Sequence, residues 1–217
     1  MTPAVSPSKP DLFIAIEGVI GVGKTTLADA LARELGAACV LEQVEENPFL
    51  PDFYRDRARF AFQTQLFFLL SRYRQQMGLR QRDLFASAVV SDYLFQKDRI
   101  FAGINLSEAE LQLYDQVLPL LERDLPRPDR VVYLRADLPV LLSRIENRGR
   151  TFERTMDPDY LRMLDEAYNE FFFHYRATPL LVVNTNALDV VGSERDRCDL
   201  IERILLHEKG AAYYNPA

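Results

Sequence analysis

The stretch Gly18-Val-Ile-Gly21-Val-Gly23-Lys24-Thr25 constrains this chain more than any other. It fits G-x-x-x-x-G-K-[ST], and its flanks are those the motif needs, an apolar run from Leu12 to Glu17 before it and a helical pattern after it. Leu27, Ala30, Leu31, Ala32 and Leu35 recur at helical spacing, with Gly36 as a stop. Strand, glycine loop and helix in that order turn successive backbone amides inward at the positive end of a helix dipole. Gly18, Gly21 and Gly23 allow the curl, Lys24 supplies a point charge, and Thr25 offers a hydroxyl to Mg²⁺. Such a loop holds the phosphates of a nucleotide, ATP being the expected one.

The remaining pattern repeats the alternation. Short apolar runs at Ala38 to Leu41, Ala88 to Val90, Arg130 to Leu134 and Leu180 to Val183 predict four more strands. Helical spacing predicts helices over Arg57 to Met77 with Gly78 as its end, Ser107 to about Leu121, Val140 to Asn147, Pro158 to Tyr175 and Ser193 to His207. Ser107 with Glu110 three places on forms a capping-box pattern, whereas Asn47, Pro48 and Pro51 read as loop. The expectation is an α/β fold with a five-stranded parallel sheet and helices on both faces. Ligands in such folds sit at the carboxyl ends of the strands. A Pro- and Ser-rich tail over 1–10 precedes one domain over 11–217.

Composition narrows the partners. The 217 residues carry a formal charge of −6, so no net basic field exists to collect a nucleic acid polymer. No apolar run approaches the roughly 18 residues of a membrane span, and the first residues lack the apolar core of a secretory signal. A cytoplasmic protein acting on a small molecule is expected. Cys39 and Cys198 match no metal or redox spacing and read as packing residues.

A phosphate loop alone does not say what is done with the phosphate. A small-molecule kinase adds an acceptor pocket and a cationic lid, and the strand ends supply candidates for both. Glu42 follows the second strand, where its carboxylate can take the proton of an attacking hydroxyl. Asp92 follows the third, placed either to hold Mg²⁺ or to cap the next helix. Arg144, Arg148 and Arg150 cluster around Gly149, as a lid that neutralises transferring phosphates or as a solvated helix end.

Together the segments GVIGVGKTT, LEQVEENPF, FAFQTQLFFLLSRYR, VVSDYLFQKDRIFA and RIENRGRTFE resemble the deoxynucleoside kinase family, from about Leu12 to Tyr175. The resemblance implies a P-loop kinase fold with an arginine-rich lid. It also implies Mg²⁺-dependent transfer from ATP to the 5′-hydroxyl of a deoxynucleoside, a purine one by likeness to bacterial members, and a homodimer. Carried over residue by residue, it makes Glu42 the general base and Lys24, Arg148 and Arg150 its catalytic companions, with Arg144 beside the donor nucleotide. Tyr54 and Glu153 take the sugar 3′-hydroxyl, while Gln65, rather than Gln63, reads the base with Arg72 and Asp98. Gln65 and Arg72 lie two helical turns apart, so both can face one pocket.

One departure stands out. The family has an acid, an arginine and a serine after the third strand, where this chain has Asp92, Tyr93 and Leu94. A tyrosine cannot replace a bidentate cation, so Arg99 or a lid arginine is expected to supply the charge, and Tyr93→Arg to leave activity unchanged or raise it. Two other readings stay open from the residues: a thymidylate-like nucleoside monophosphate kinase, and a nucleotide-binding scaffold without turnover.

Overall fold

A computed structural model describes residues 12–82, 88–150, 153, 156–190 and 192–216, with side chains in the first stretch described as far as Leu79. The expected tail over 1–10 and lid residues 151, 152, 154 and 155 lie outside the described residues.

The apolar run at the start becomes β1 (Leu12–Gly18), with Phe13 to Ile16 sealed from solvent on both faces, as an interior parallel strand must be. The glycine loop leads into α1 (Lys24–Leu35), which ends at Gly36 in a left-handed turn. Next come β2 (Ala38–Val40), a single 3₁₀ turn at Val44–Glu46, α2 (Leu50–Arg55), α3 (Arg57–Arg82) and β3 (Ala88–Ser91). The second half runs α4 (Lys97–Asn105), α5 (Glu108–Glu122), β4 (Arg130–Arg135), α6 (Leu138–Arg148), α7 (Pro158–His174), β5 (Leu180–Asn184), α8 (Glu194–Leu206) and β6 (Ala211–Tyr214).

All strand pairs are parallel, in the order β2-β3-β1-β4-β5-β6. From β1 the chain turns first toward β3 and β2 and later toward β4 and β5, so a crevice opens at the carboxyl end of β1 beside β3. The phosphate loop and the residues after β2 and β3 all lie there.

Several expectations needed correction. The sheet has six strands, not five: β6 follows Gly210 at φ 67 and pairs with β5, but its four residues AAYY are too short to stand out from sequence. Helix α3 does not stop at Gly78 but continues through it, with Leu79 behind it buried. The Pro-punctuated loop contains α2, with Pro51 in its first turn where the missing N–H costs nothing. Helix α4 was not anticipated. The capping box of Ser107 and Glu110 does open α5. Cys39 and Cys198 are exposed free thiols, not packing residues. On α7, Phe172 stacks on Tyr133 in the core at 4.1 Å, whereas Phe173 and His174 face solvent. Among the described residues no helix is long and apolar enough to cross a membrane.

Candidate active site

The glycines of the loop are dictated by close approach. A Cβ on Gly18 would stand 2.4 Å from the Leu134 carbonyl oxygen, and one on Gly21 would stand 2.7 Å from Ile145 and 2.9 Å from the Leu141 carbonyl oxygen. The loop is thus wedged between β4 and α6. Lys24 at the start of α1 turns back over it, Nζ donating to the carbonyls of Gly18 at 2.8 Å and Val19 at 3.2 Å. Burial, and after it repulsion from Lys97, lowers its pKa to about 8 against the pull of Glu17, Glu42 and Asp92.

Asp92 joins the donor and acceptor sides. It accepts from Thr25 Oγ1 at 2.6 Å with one carboxylate oxygen and from the Glu42 backbone N–H at 2.7 Å with the other. It is buried and caps no helix, since α4 begins five residues later. Thr25 and Asp92 thus stand within hydrogen-bond distance of each other, two hard oxygen groups of the kind that could hold Mg²⁺ beside phosphates.

Beyond this point lies a cavity of about 420 Å³. Lys24, Thr25, Glu42, Asp92 and Lys97 line it together with Tyr54, Gln65, Phe68, Arg72, Arg148, Arg150 and Glu153. Gln65 is buried while Gln63 is exposed. Burial raises the Tyr54 pKa, and the Glu153 carboxylate adds to this.

Glu42 sits among cations. Arg72 donates to Oε1, and Lys97 Nζ to Oε2 at 2.8 Å. Burial opposes its charge, yet Arg72, Lys97 and Lys24 outweigh it and hold the carboxyl well below the usual carboxylate range. Arg72 also pairs with Asp98 at 2.5 Å and lies 4.9 Å from the Phe68 ring centroid. Two carboxylates keep its guanidinium charged, while burial raises the Asp98 pKa despite that partner.

The structure does not bring every predicted residue into the cavity. Asp98 lies behind it, fully buried, taking both Gln65 Nε2 (2.5 Å) and Arg72. Arg144 turns away from the cavity and donates to the Val22 carbonyl at 3.3 Å, the Thr185 hydroxyl at 3.0 Å and the Thr185 carbonyl at 2.7 Å. It clamps the phosphate loop to the end of β5. Arg148 makes a bidentate pair with Glu153, and Arg150 lies within 4 Å of Glu45 and Glu153.

Arg99 does not supply the missing charge, because it faces outward and pairs with Asp115 at 2.7 Å on the surface. Tyr93 is fully buried among Phe13, Val40, Leu79 and Val89. Arginine there would bury a second cation near Lys97, whose ammonium lies 5.9 Å from the Tyr93 ring centroid, so Tyr93→Arg is expected to cost stability rather than to be harmless.

Three contributors went unseen in the sequence. Glu17 is buried at the end of β1 and accepts from the backbone N–H groups of Gly18 at 3.0 Å and Leu94 at 2.7 Å, fixing the phosphate loop to the segment after β3. Tyr168 donates to that carboxylate at 3.2 Å. The third is Lys97, which the sequence does not set apart from a surface lysine.

Comparison with known proteins identifies the family. A family model described as deoxynucleoside kinase matches residues 14–207. Deoxyguanosine kinase of Bacillus subtilis is 40% identical over 202 residues, covering 91% of this chain and 96% of the relative. Deoxyadenosine kinase of Lactobacillus acidophilus is 30% identical over 206 residues, covering 88% and 94%. The solved structure of deoxyadenosine kinase from M. mycoides with bound dATP superposes with a TM-score of 0.76 at 26% identity, covering 89% of this chain and 98% of that one. The chain belongs to the deoxynucleoside kinase family and phosphorylates deoxynucleosides.

Proposed function

We propose that this kinase moves the γ-phosphoryl group of ATP to the 5′-hydroxyl of a purine deoxynucleoside, with Mg²⁺ at Thr25 and Asp92. The observation that carries this reading is the junction at Asp92, which ties the phosphate loop to the backbone of Glu42 at the mouth of the cavity. The magnesium ion, when bound, neutralises phosphate charge.

The nucleoside lies along the cavity with its base toward Gln65, Arg72 and Phe68, its sugar toward Tyr54 and Glu153, and its 5′-hydroxyl at Glu42. Asp98 acts from behind by holding Gln65 and Arg72. Glu42 is a weak base in this field of cations. Phosphoryl transfer has a loose transition state in which positioning and charge dominate, so orienting the hydroxyl and accepting its proton as the new bond forms is sufficient. Lys24 stabilises the phosphate charge from the loop, and Arg148 and Arg150 do so from the lid. Arg144 serves the donor side by clamping the loop.

The acceptor is a nucleoside, not a monophosphate. A second phosphate would need cations of its own, whereas Arg148 and Arg150 already stand against Glu153. Purine preference has support from the names of the relatives, deoxyguanosine and deoxyadenosine kinases. Leu113 and Leu120 on α5, 50% and 74% exposed, support a homodimer that covers them. The expected cytoplasmic location stands on the sequence alone.

The test is kcat/KM for deoxyguanosine, deoxyadenosine, deoxycytidine and thymidine with ATP, with and without Mg²⁺, and identification of the phosphorylated oxygen by phosphorus NMR. A purine 5′-monophosphate formed only with Mg²⁺ is expected. A pyrimidine preference or a 3′-product would overturn the corresponding part.

A further inference from the structure

Lys97 is a costly residue where it stands. It is 3% exposed, and it is the first residue of α4, so its ammonium meets both the loss of water and the positive end of a helix dipole. A chain gains nothing from such a placement for packing alone. The ammonium lies 2.8 Å from Glu42 Oε2, lines the cavity, and has the Tyr93 ring centroid 5.9 Å away. It is also near enough to Lys24 to depress that group's pKa.

These positions answer the question left by Tyr93. The residue after Asp92 carries no cation, Arg99 points to the surface, and the cation at the acceptor carboxylate comes from one turn of chain further on.

We infer that Lys97 is a positioning residue that takes over from the arginine absent at position 93, gripping Glu42 by Oε2 so that the carboxylate meets the acceptor hydroxyl. Arg72 holds the other oxygen, but Arg72 is shared with Asp98 and with the base end of the cavity. Lys97 is therefore the grip that stays on Glu42 when a nucleoside engages Arg72. The inference rests on Glu42 being the group that receives the hydroxyl.

The experiment is a double-mutant cycle. Lys97→Met and Lys97→Gln, two neutral variants, are made in the native and Glu42→Gln backgrounds with Lys97→Arg as the charged control. The readouts are kcat, nucleoside KM, ATP affinity and Tm. Loss of the grip lowers kcat by ~10²-fold with nucleoside KM within ~3-fold, since Gln65 and Arg72 remain. Lys97→Arg stays within ~10-fold of native kcat, and in the Glu42→Gln background Lys97→Met costs less than ~3-fold more, because the two residues act as one unit. Near-native kcat in a folded neutral variant overturns the inference. So does a full, multiplicative loss in the Glu42→Gln background, or a folded Lys97→Arg as slow as the neutral variants. If Glu42→Gln alone leaves kcat intact, the underlying role of Glu42 fails instead.

Discussion

At the residue scale, two charges of the site make stability rise with pH, Lys24 by shedding a penalty in an alkaline window and Glu42 by gaining stabilisation in an acidic one. Lys24 has its pKa lowered to about 8 from 10.5. Between those values the unfolded chain binds more protons than the folded one, so this group's contribution to stability rises with pH across that window. Below about 8 both states are protonated and the penalty is full. Polyphosphate beside Lys24 favours the ammonium, so ATP binding takes up a proton once the pH exceeds about 8, and ATP affinity falls as pH rises further. Calorimetric titrations of ATP in two buffers of different ionisation heat, at about pH 7 and about pH 9, measure that uptake directly.

Glu42 has the same sign in a more acidic window, but as a stabilising group. Its folded pKa is depressed, so its stabilising effect is complete above the ordinary carboxylate range and fades as pH falls through the folded value. Glu42→Gln is expected to lower kcat by ~10² while ATP affinity is retained. Arg72→Ala leaves Asp98 buried without its cation, so it should cost about 3 kcal/mol of stability or more and weaken nucleoside binding far more than ATP binding. Equal weakening of both ligands would contradict its place at the base end. The family resemblance made the pair of Gln65 and Arg72 legible in the sequence, and its spacing of two helical turns, which returns to one face, is compatible with it without being enough to single it out. Lys97 was not legible, because nothing in a lone lysine at a helix start shows that it turns inward.

At the element scale, the glycines divide into two kinds. Gly18→Ala would drive a Cβ into the Leu134 carbonyl oxygen, so loss of ATP binding is expected even where the chain still folds. Gly78→Ala, inside α3 with open space at the Cβ position, should stabilise the protein by roughly 0.5–1 kcal/mol, read as a rise in Tm with unchanged kcat. A glycine in sequence reads as a helix stop, and only the structure shows that α3 passes through this one. The four interior strands, β3, β1, β4 and β5, were readable because burial on both faces makes each a continuous apolar run. Edge strand β6 alternates exposed and half-buried residues over four positions, too few to distinguish from loop. Helices α2 and α4 are six and nine residues long, short enough for their periodicity to be lost beside prolines and charged residues.

At the scale of the whole molecule, the sheet order places the phosphate loop, Glu42 and Asp92 at one crevice, and α2, α3, α4 and α7 close a cavity over it. That convergence was legible because strand ends in a parallel sheet share one edge. The roles of Asp98 and Arg144 were not, since facing a cavity and standing behind it differ by the direction of a side chain rather than by its place in the chain. The central claim is that donor and acceptor ends form one site for a nucleoside. Phosphate transfer from ATP and Mg²⁺ to deoxyguanosine, deoxyadenosine, deoxycytidine, thymidine and dTMP in parallel tests it most directly. Turnover of one or two deoxynucleosides with dTMP untouched is the predicted result; turnover of dTMP alone, or none at all with ATP still bound, would contradict it.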